Sequence, residues 1–131
     1  MPMCRPDIPA DYLQIRNIEI VRGDTFGFSI RLTINGSPDM LTESGMVTFA
    51  VFEEENSPVL SVRYGSAKQD EQGYINVCLT PEQTSRLRRS SRYAYELEWY
   101  INEGTVYTLL KGQIVIVADK INGSVRGEQD G

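Results

Sequence analysis

Residues 20–34 read IVRGDTFGFSIRLTI, and the second part of that stretch decides the fold. Phe26, Phe28, Ile30, Leu32 and Ile34 alternate with Thr25, Gly27, Ser29, Arg31 and Thr33. A period of two sustained this long gives an extended chain one apolar and one polar face, the pattern of a strand lying on a core with its other side wet. Asn35-Gly36-Ser37-Pro38-Asp39 closes the strand with turn chemistry. Ahead of it stands Arg22-Gly23-Asp24, a tripeptide that many integrin-binding proteins display. A working adhesion motif needs an exposed loop tip, and here Ile20-Val21 precede it while the alternation follows at once. A tight turn explains all three residues: Gly23 can take positive φ, and Asp24 can bond the backbone ahead of it.

Working outward, the same alternation recurs in short pieces. Ile18 and Ile20 suggest a first strand; MVTFAVF (46–52) and residues 59–64 suggest two more. In residues 73–79 (GYINVCL), Ile75, Val77 and Leu79 share a face. In YAYELEWYI (93–101), Tyr93, Tyr95, Leu97 and Trp99 point one way, and Ala94, Glu96 and Glu98 the other. Asn102-Glu103-Gly104 is a hairpin turn. Residues 105–111 and 113–118 read as two strand halves separated by Gly112, which suggests a bulge. Residues 114–117 are apolar on both faces, so that strand is expected to be central in its sheet or covered by another chain. Thr80-Pro81-Glu82-Gln83 is a capping box with Pro at the first helical position, which predicts a helix of about two turns with Leu87 turned inward. Tyr93-Ala94-Tyr95 resembles the Tyr-x-Cys of an immunoglobulin-type strand F, with Tyr93 placed to make a tyrosine-corner bond to the backbone upstream.

These elements predict an all-β fold, an immunoglobulin-like antiparallel β-sandwich of seven to eight strands with one short helix near residues 81–89. Residues 15–119 form the expected domain. Residues 1–14, with Pro2, Pro6 and Pro9, are expected to be a flexible arm, and residues 120–131 a polar, glycine-rich tail. A chain of 131 residues suits one such domain.

Composition narrows the chemistry. The net charge of −5 argues against a dedicated nucleic-acid or anionic-membrane surface. No apolar run is long enough to span a bilayer, and the N-terminus lacks a signal-peptide core, so synthesis in the cytosol, with retention there or release by cell lysis, is expected. The two cysteines, Cys4 and Cys78, make no disulfide framework. There is no histidine, which removes Ser-His-Asp and Cys-His catalysis and any His-containing zinc site. No phosphate loop, dinucleotide fingerprint or CxxC is present, and no cofactor or metal is expected. Glu96 and Glu98 form a carboxylate pair of the type glycosidases use, but acidic pairs on a wet strand face are far commoner. Glu53-Glu54-Glu55 lacks calcium-loop spacing. Asn35 and Asn122 fit the glycosylation pattern and equally fit Asn-Gly turns.

Arg86, Arg88, Arg89 and Arg92 crowd four cations into seven positions of an acidic chain. They are candidate contacts for an acidic partner surface, or simply complement a helix C-terminus. Ile114 and Ile116, on the two-sided apolar strand, are the other candidate partner contacts.

In order along the chain, VRGDTFGFSIRL, VTFAVF, GYINVCLTPEQTSRL, YAYELEW and VYTLLKGQIVIVAD resemble the N-terminal domain family of phage baseplate upper proteins, over roughly residues 18–119. The resemblance implies an immunoglobulin-like module that builds or docks onto a phage or prophage tail, baseplate or fibre, with other tail proteins or a second copy as partners, and no catalytic residues. It implies a place in the virion once assembled. The longer chains of that family continue into coiled-coil or receptor-binding regions, whereas this sequence stops soon after the domain; a small tail accessory or adaptor is the corresponding expectation. The competing reading is a carbohydrate- or peptide-binding sandwich, which clustering of Tyr64, Tyr74, Tyr100 and Tyr107 on one face would favour.

Overall fold

The computed structural model describes residues 7–9, 13–53, 58–88 and 92–118. Two β-sheets pack face to face. The first contains β1 (Asp7–Pro9), β4 (Phe26–Ile34), β5 (Ser37–Pro38) and β8 (Tyr74–Leu79). The second contains β2 (Gln14–Ile15), β3 (Ile18–Val21), β6 (Met46–Glu53), β7 (Pro58–Tyr64), β9 (Tyr93–Asn102) and β10 (Thr105–Val117). β4 pairs with β8, and β6, β9 and β10 pair in series, which are the B–E and C–F–G pairings of an immunoglobulin-type sandwich; β7 adds beside β6.

The all-β sandwich is therefore as expected, with two amendments. Ten strands occur among the described residues rather than seven to eight, because β1, β2 and β5 are two- or three-residue pieces too short to show a period. The sheets are also mixed, since β1 runs parallel to β4, and β2 and β3 run parallel to β10.

The alternation read from the sequence becomes the core. Ile30 and Leu32 of β4, Ile75, Val77 and Leu79 of β8, Val47, Phe49 and Val51 of β6, and Tyr95, Leu97 and Trp99 of β9 are buried on the inner faces. Phe49 joins the layers: its ring lies 5.9 Å from Phe28 of the facing sheet and 5.5 Å from Tyr95 of its own. Asn35 and Gly36, at φ +53° and +80°, form the two-residue turn between β4 and β5. The capping box forms with both bonds: Gln83 N–H donates to Thr80 Oγ1 (3.2 Å) and Thr80 N–H to Gln83 Oε1 (2.8 Å). The helix it starts, α1, covers only Pro81–Ser85, shorter than the expected span to residue 89, and Leu87 beyond it is buried as anticipated.

β10 is one continuous strand, and its irregularities against β9 fall between Thr105 and Val106 and between Thr108 and Leu110, not at Gly112. It lies between β9 on one side and β2–β3 on the other, so it is central in its sheet, while Val115 on its outer face stays exposed. Of the segment expected to be a free arm, Asp7–Pro9 lies along β4, with Ile8 fully buried. One apolar residue among prolines carries no periodicity, so nothing local marked it. The 120–131 tail, Cys4, Asn122 and Glu54–Glu55 lie outside the described residues.

Candidate functional site

The Arg-Gly-Asp turn carries the chain from β3 in one sheet to β4 in the other, and every residue of it is tied down. Asp24 N–H donates to Val21 O (3.0 Å), and Gly23 sits at φ +88°, where a side chain would be strained. Thr84, fully buried on α1, accepts from Gly23 N–H (3.0 Å) and donates to Asp24 O (2.8 Å). Arg22 donates through its backbone to Val117 O (2.9 Å) and through Nε to Leu87 O (3.0 Å). Asp24 thus serves through its own peptide groups rather than through a side-chain turn. A tripeptide pinned to a helix and to two strands is a corner piece.

Leu87 is flanked by Arg86 and Arg88, so the Arg22 contact brings a fifth arginine, distant in sequence, to the cluster read at residues 86–92. Arg86 pairs with Glu82 one turn back (3.4 Å), and Arg88 with Glu53 of β6 (2.7 Å). The Tyr93 phenol and the Glu53 carboxylate hold Arg88 more firmly in its charged form than usual. Arg92 is exposed at the start of β9, and Arg89 lies outside the described residues. The tyrosine-corner bond is present: Tyr93 Oη accepts from Arg88 N–H (2.9 Å). Arg86 is the C-cap of α1, and Arg88 and Arg92 lie beyond the helix.

Of the two candidate contacts on β10, Ile114 is buried and Ile116 is half-buried. Ile114 is 5% exposed in the core, and Ile116 packs against the core from the same inner face. The outward residue between them, Val115, is 54% exposed. Glu96 and Glu98 stand on the outer face of β9, with Lys111 and Thr108 of β10 opposite them in register. The four tyrosines do not share a face. Tyr64 is in the core, Tyr107 stacks on Trp99 from the inner side (6.3 Å), Tyr74 lies outside the first sheet under Arg31, and Tyr100 outside the second. Cys78 is a half-buried free thiol. Among the described residues, no group of three or more His, Cys, Asp or Glu side chains is placed to hold a metal, and no helix is long and apolar enough to cross a membrane.

A second constellation, unread in the sequence, joins β2–β3 to β10. Register along this pair is constant from Gln14–Leu110 to Val21–Val117, yet the ladder breaks at Arg16–Asn17. Arg16 N–H still reaches Lys111 O (2.9 Å), but its carbonyl turns inward to accept from Tyr95 Oη (2.7 Å). Gln113 N–H is satisfied instead by Asn17 Oδ1 (3.0 Å). Any Cβ on Gly112 would land on the Arg16 carbonyl. Gly112 is therefore a close-approach glycine, with the Tyr95 side chain reaching across it in the paired position. Above the pinch, the outer face carries a shallow open depression of about 560 Å³ lined by Ile15, Asn17, Glu96, Lys111 and Gln113 among others. Burial pushes the Tyr95 phenol above its ordinary value, and likewise Tyr64, whose hydroxyl bridges to the Cys78 backbone of the facing sheet (2.9 Å from its N–H).

No protein-family profile matches the sequence, and no curated protein matches it. Among solved structures the chain is similar to the N-terminal domain of phage TP901-1 ORF48, with a TM-score of 0.51 at 11% identity, over 86% of this chain and 97% of that one. At that identity the likeness is one of fold, and it spans nearly the whole of the phage domain.

Proposed function

We propose that the chain is a non-catalytic structural module of a phage or prophage tail, baseplate or fibre, acting through protein–protein contacts. The observation that carries this reading is the fold likeness to a phage protein's N-terminal domain over 97% of that domain. The ordered motifs that resemble phage baseplate upper proteins support the same conclusion. On this reading the arginine corner, with Arg22, Arg86, Arg88 and Arg92, is the contact surface, and its partner presents carboxylates. Guanidinium forks suit that role because they bind carboxylates in a fixed planar geometry.

Tail particles prepared from the producing bacterium test the reading. The protein should sediment with the particles in fixed ratio to other tail proteins, and Arg88→Glu with Arg92→Glu should weaken that attachment while leaving the far-UV spectrum of the chain unchanged. A protein found only in the soluble fraction, with no tail protein bound, contradicts it.

A further inference from the structure

We propose that the β4 edge of the first sheet is a strand-acceptor site, filled within the chain by Asp7–Pro9 and open, when that strand leaves, to the same segment of a second copy. It stands on geometry alone, whichever assembly the chain joins.

Three observations carry it. First, β1 is three residues long, pairs in parallel, and ends in Pro9, which has no N–H to donate. Second, of the described side chains of β1, Ile8 is fully buried, at 0% exposure, and Pro9 only half-buried. Third, the strand it covers is fully built without it. β4 pairs on its other edge with β8 over Phe26–Arg31 and with β5 over Thr33–Ile34. The Leu32 carbonyl accepts from Asp39 N–H on the β5 side, so alternation turns the peptide groups of Arg31 and Thr33 toward β1. Departure of β1 would leave those groups unpaired beside the vacated Ile8 socket, an edge ready for an added strand.

The occupant follows from the socket. It accepts one isoleucine in parallel register, with Asp7, Ile8 and Pro9 opposite Arg31, Leu32 and Thr33. Buried Thr33 (2% exposed) has Pro9 on one edge and Pro38 on the other. The sequence that meets these demands is the chain's own, so a neighbouring copy supplies the fitting donor. Exchange of an identical element is the low-cost route to such contacts.

The test uses the full chain carrying Ile8→Asp, which should eject β1 and leave the acceptor open. A fluorescent peptide of residues 1–12 is titrated against it, against the wild-type chain, and against the variant with a peptide also carrying Ile8→Asp. The native peptide should bind the variant roughly tenfold or more tightly than it binds the wild-type chain, whose own strand competes for the site. The altered peptide should bind at least roughly tenfold more weakly than the native one, since a carboxylate cannot enter an apolar socket unpaired. Tagged Ile8→Asp chain should also retain untagged wild-type chain from a mixture. A variant that folds but binds neither peptide, or binds both alike, overturns the acceptor. A variant that cannot fold, with Ile8→Ala failing as well, overturns it too, because the sandwich must stand without β1. Capture of the peptide without capture of the chain overturns the second copy as occupant.

Discussion

Two pieces of the N-terminal segment lie parallel to a strand at a sheet edge, and they are held by different means. Residues 14–21 run along β10 in unbroken register. They are fastened at 16–17 by Tyr95, Asn17 and the gap left by Gly112, and just beyond at 22–24 by Thr84 and Leu87. Residues 7–9 run along β4 for three positions and bury one isoleucine. That burial contributes about 1.5–3 kcal/mol. The ladder bonds that Ile8 makes with Arg31 and Thr33 in this parallel register add about 1 kcal/mol each. Ordering three residues costs about 1–2 kcal/mol apiece. The terms for β1 nearly cancel. Strand length alone does not separate the two seams; side chains committed to the seam from elsewhere in the fold do. The corner lies ahead of the start of β4 and β1 along its far end, so the two modes of attachment are separated along one strand.

The comparison breaks most readily at Gly112. Gly112→Val should cost about 3 kcal/mol or more in denaturant unfolding, because backbone rather than a movable side chain occupies the space. A cost near that of an ordinary strand glycine would show that the pinch relaxes freely. Thr84→Val comes next, at about 1–3 kcal/mol, since it leaves Gly23 N–H and Asp24 O without their buried partner.

Tyr95→Phe should cost about 1–2 kcal/mol through the lost bond to the Arg16 carbonyl. It should also reshape the alkaline limb of stability against pH. The folded-state value of Tyr95 is raised by burial above the ordinary 10.0, so its share of stability is complete below pH 10 and is lost as pH rises through the folded value. Tyr64 titrates in the same direction, so the limb should become shallower in the variant without vanishing. An unchanged limb would mean that the Tyr95 phenol is already open to water.

Ile8→Ala sharpens the comparison by being small. A fully buried isoleucine in a rigid core loses about 2–5 kcal/mol on truncation. In a strand that opens locally, the loss is capped by the opening free energy, and about 1 kcal/mol is expected. A loss near the top of the rigid-core range would make β1 as fixed as β3.

What was legible in the sequence follows the same division. The alternation of 25–34 and 93–99 and the capping box at Thr80 are local patterns, and each started its element, though the helix stops at Ser85 rather than running to residue 89. The apolar run at 114–117 implied a strand central in its sheet or covered by another chain; β10 is central, with Ile114 in the core and Ile116 half-buried against it. Gly112 resembled a bulge because the reason for it, the Arg16 carbonyl, lies 96 positions away, and Arg22 joined the arginine corner through Leu87, 65 positions away. β1 gave no signal, since one isoleucine between prolines has no period. Contacts between distant residues placed the parts of the candidate site that local pattern could not.

Amide hydrogen exchange on the full chain compares the two seams directly. Arg16 N–H, bonded to Lys111 O beneath the Tyr95 clasp, should exchange near the rate set by global unfolding. Thr33 N–H, turned toward β1, should exchange at least roughly a hundredfold faster, through opening of residues 7–9 alone. Equal protection of the two amides would contradict the account, because β1 would then be as firmly held as β2–β3.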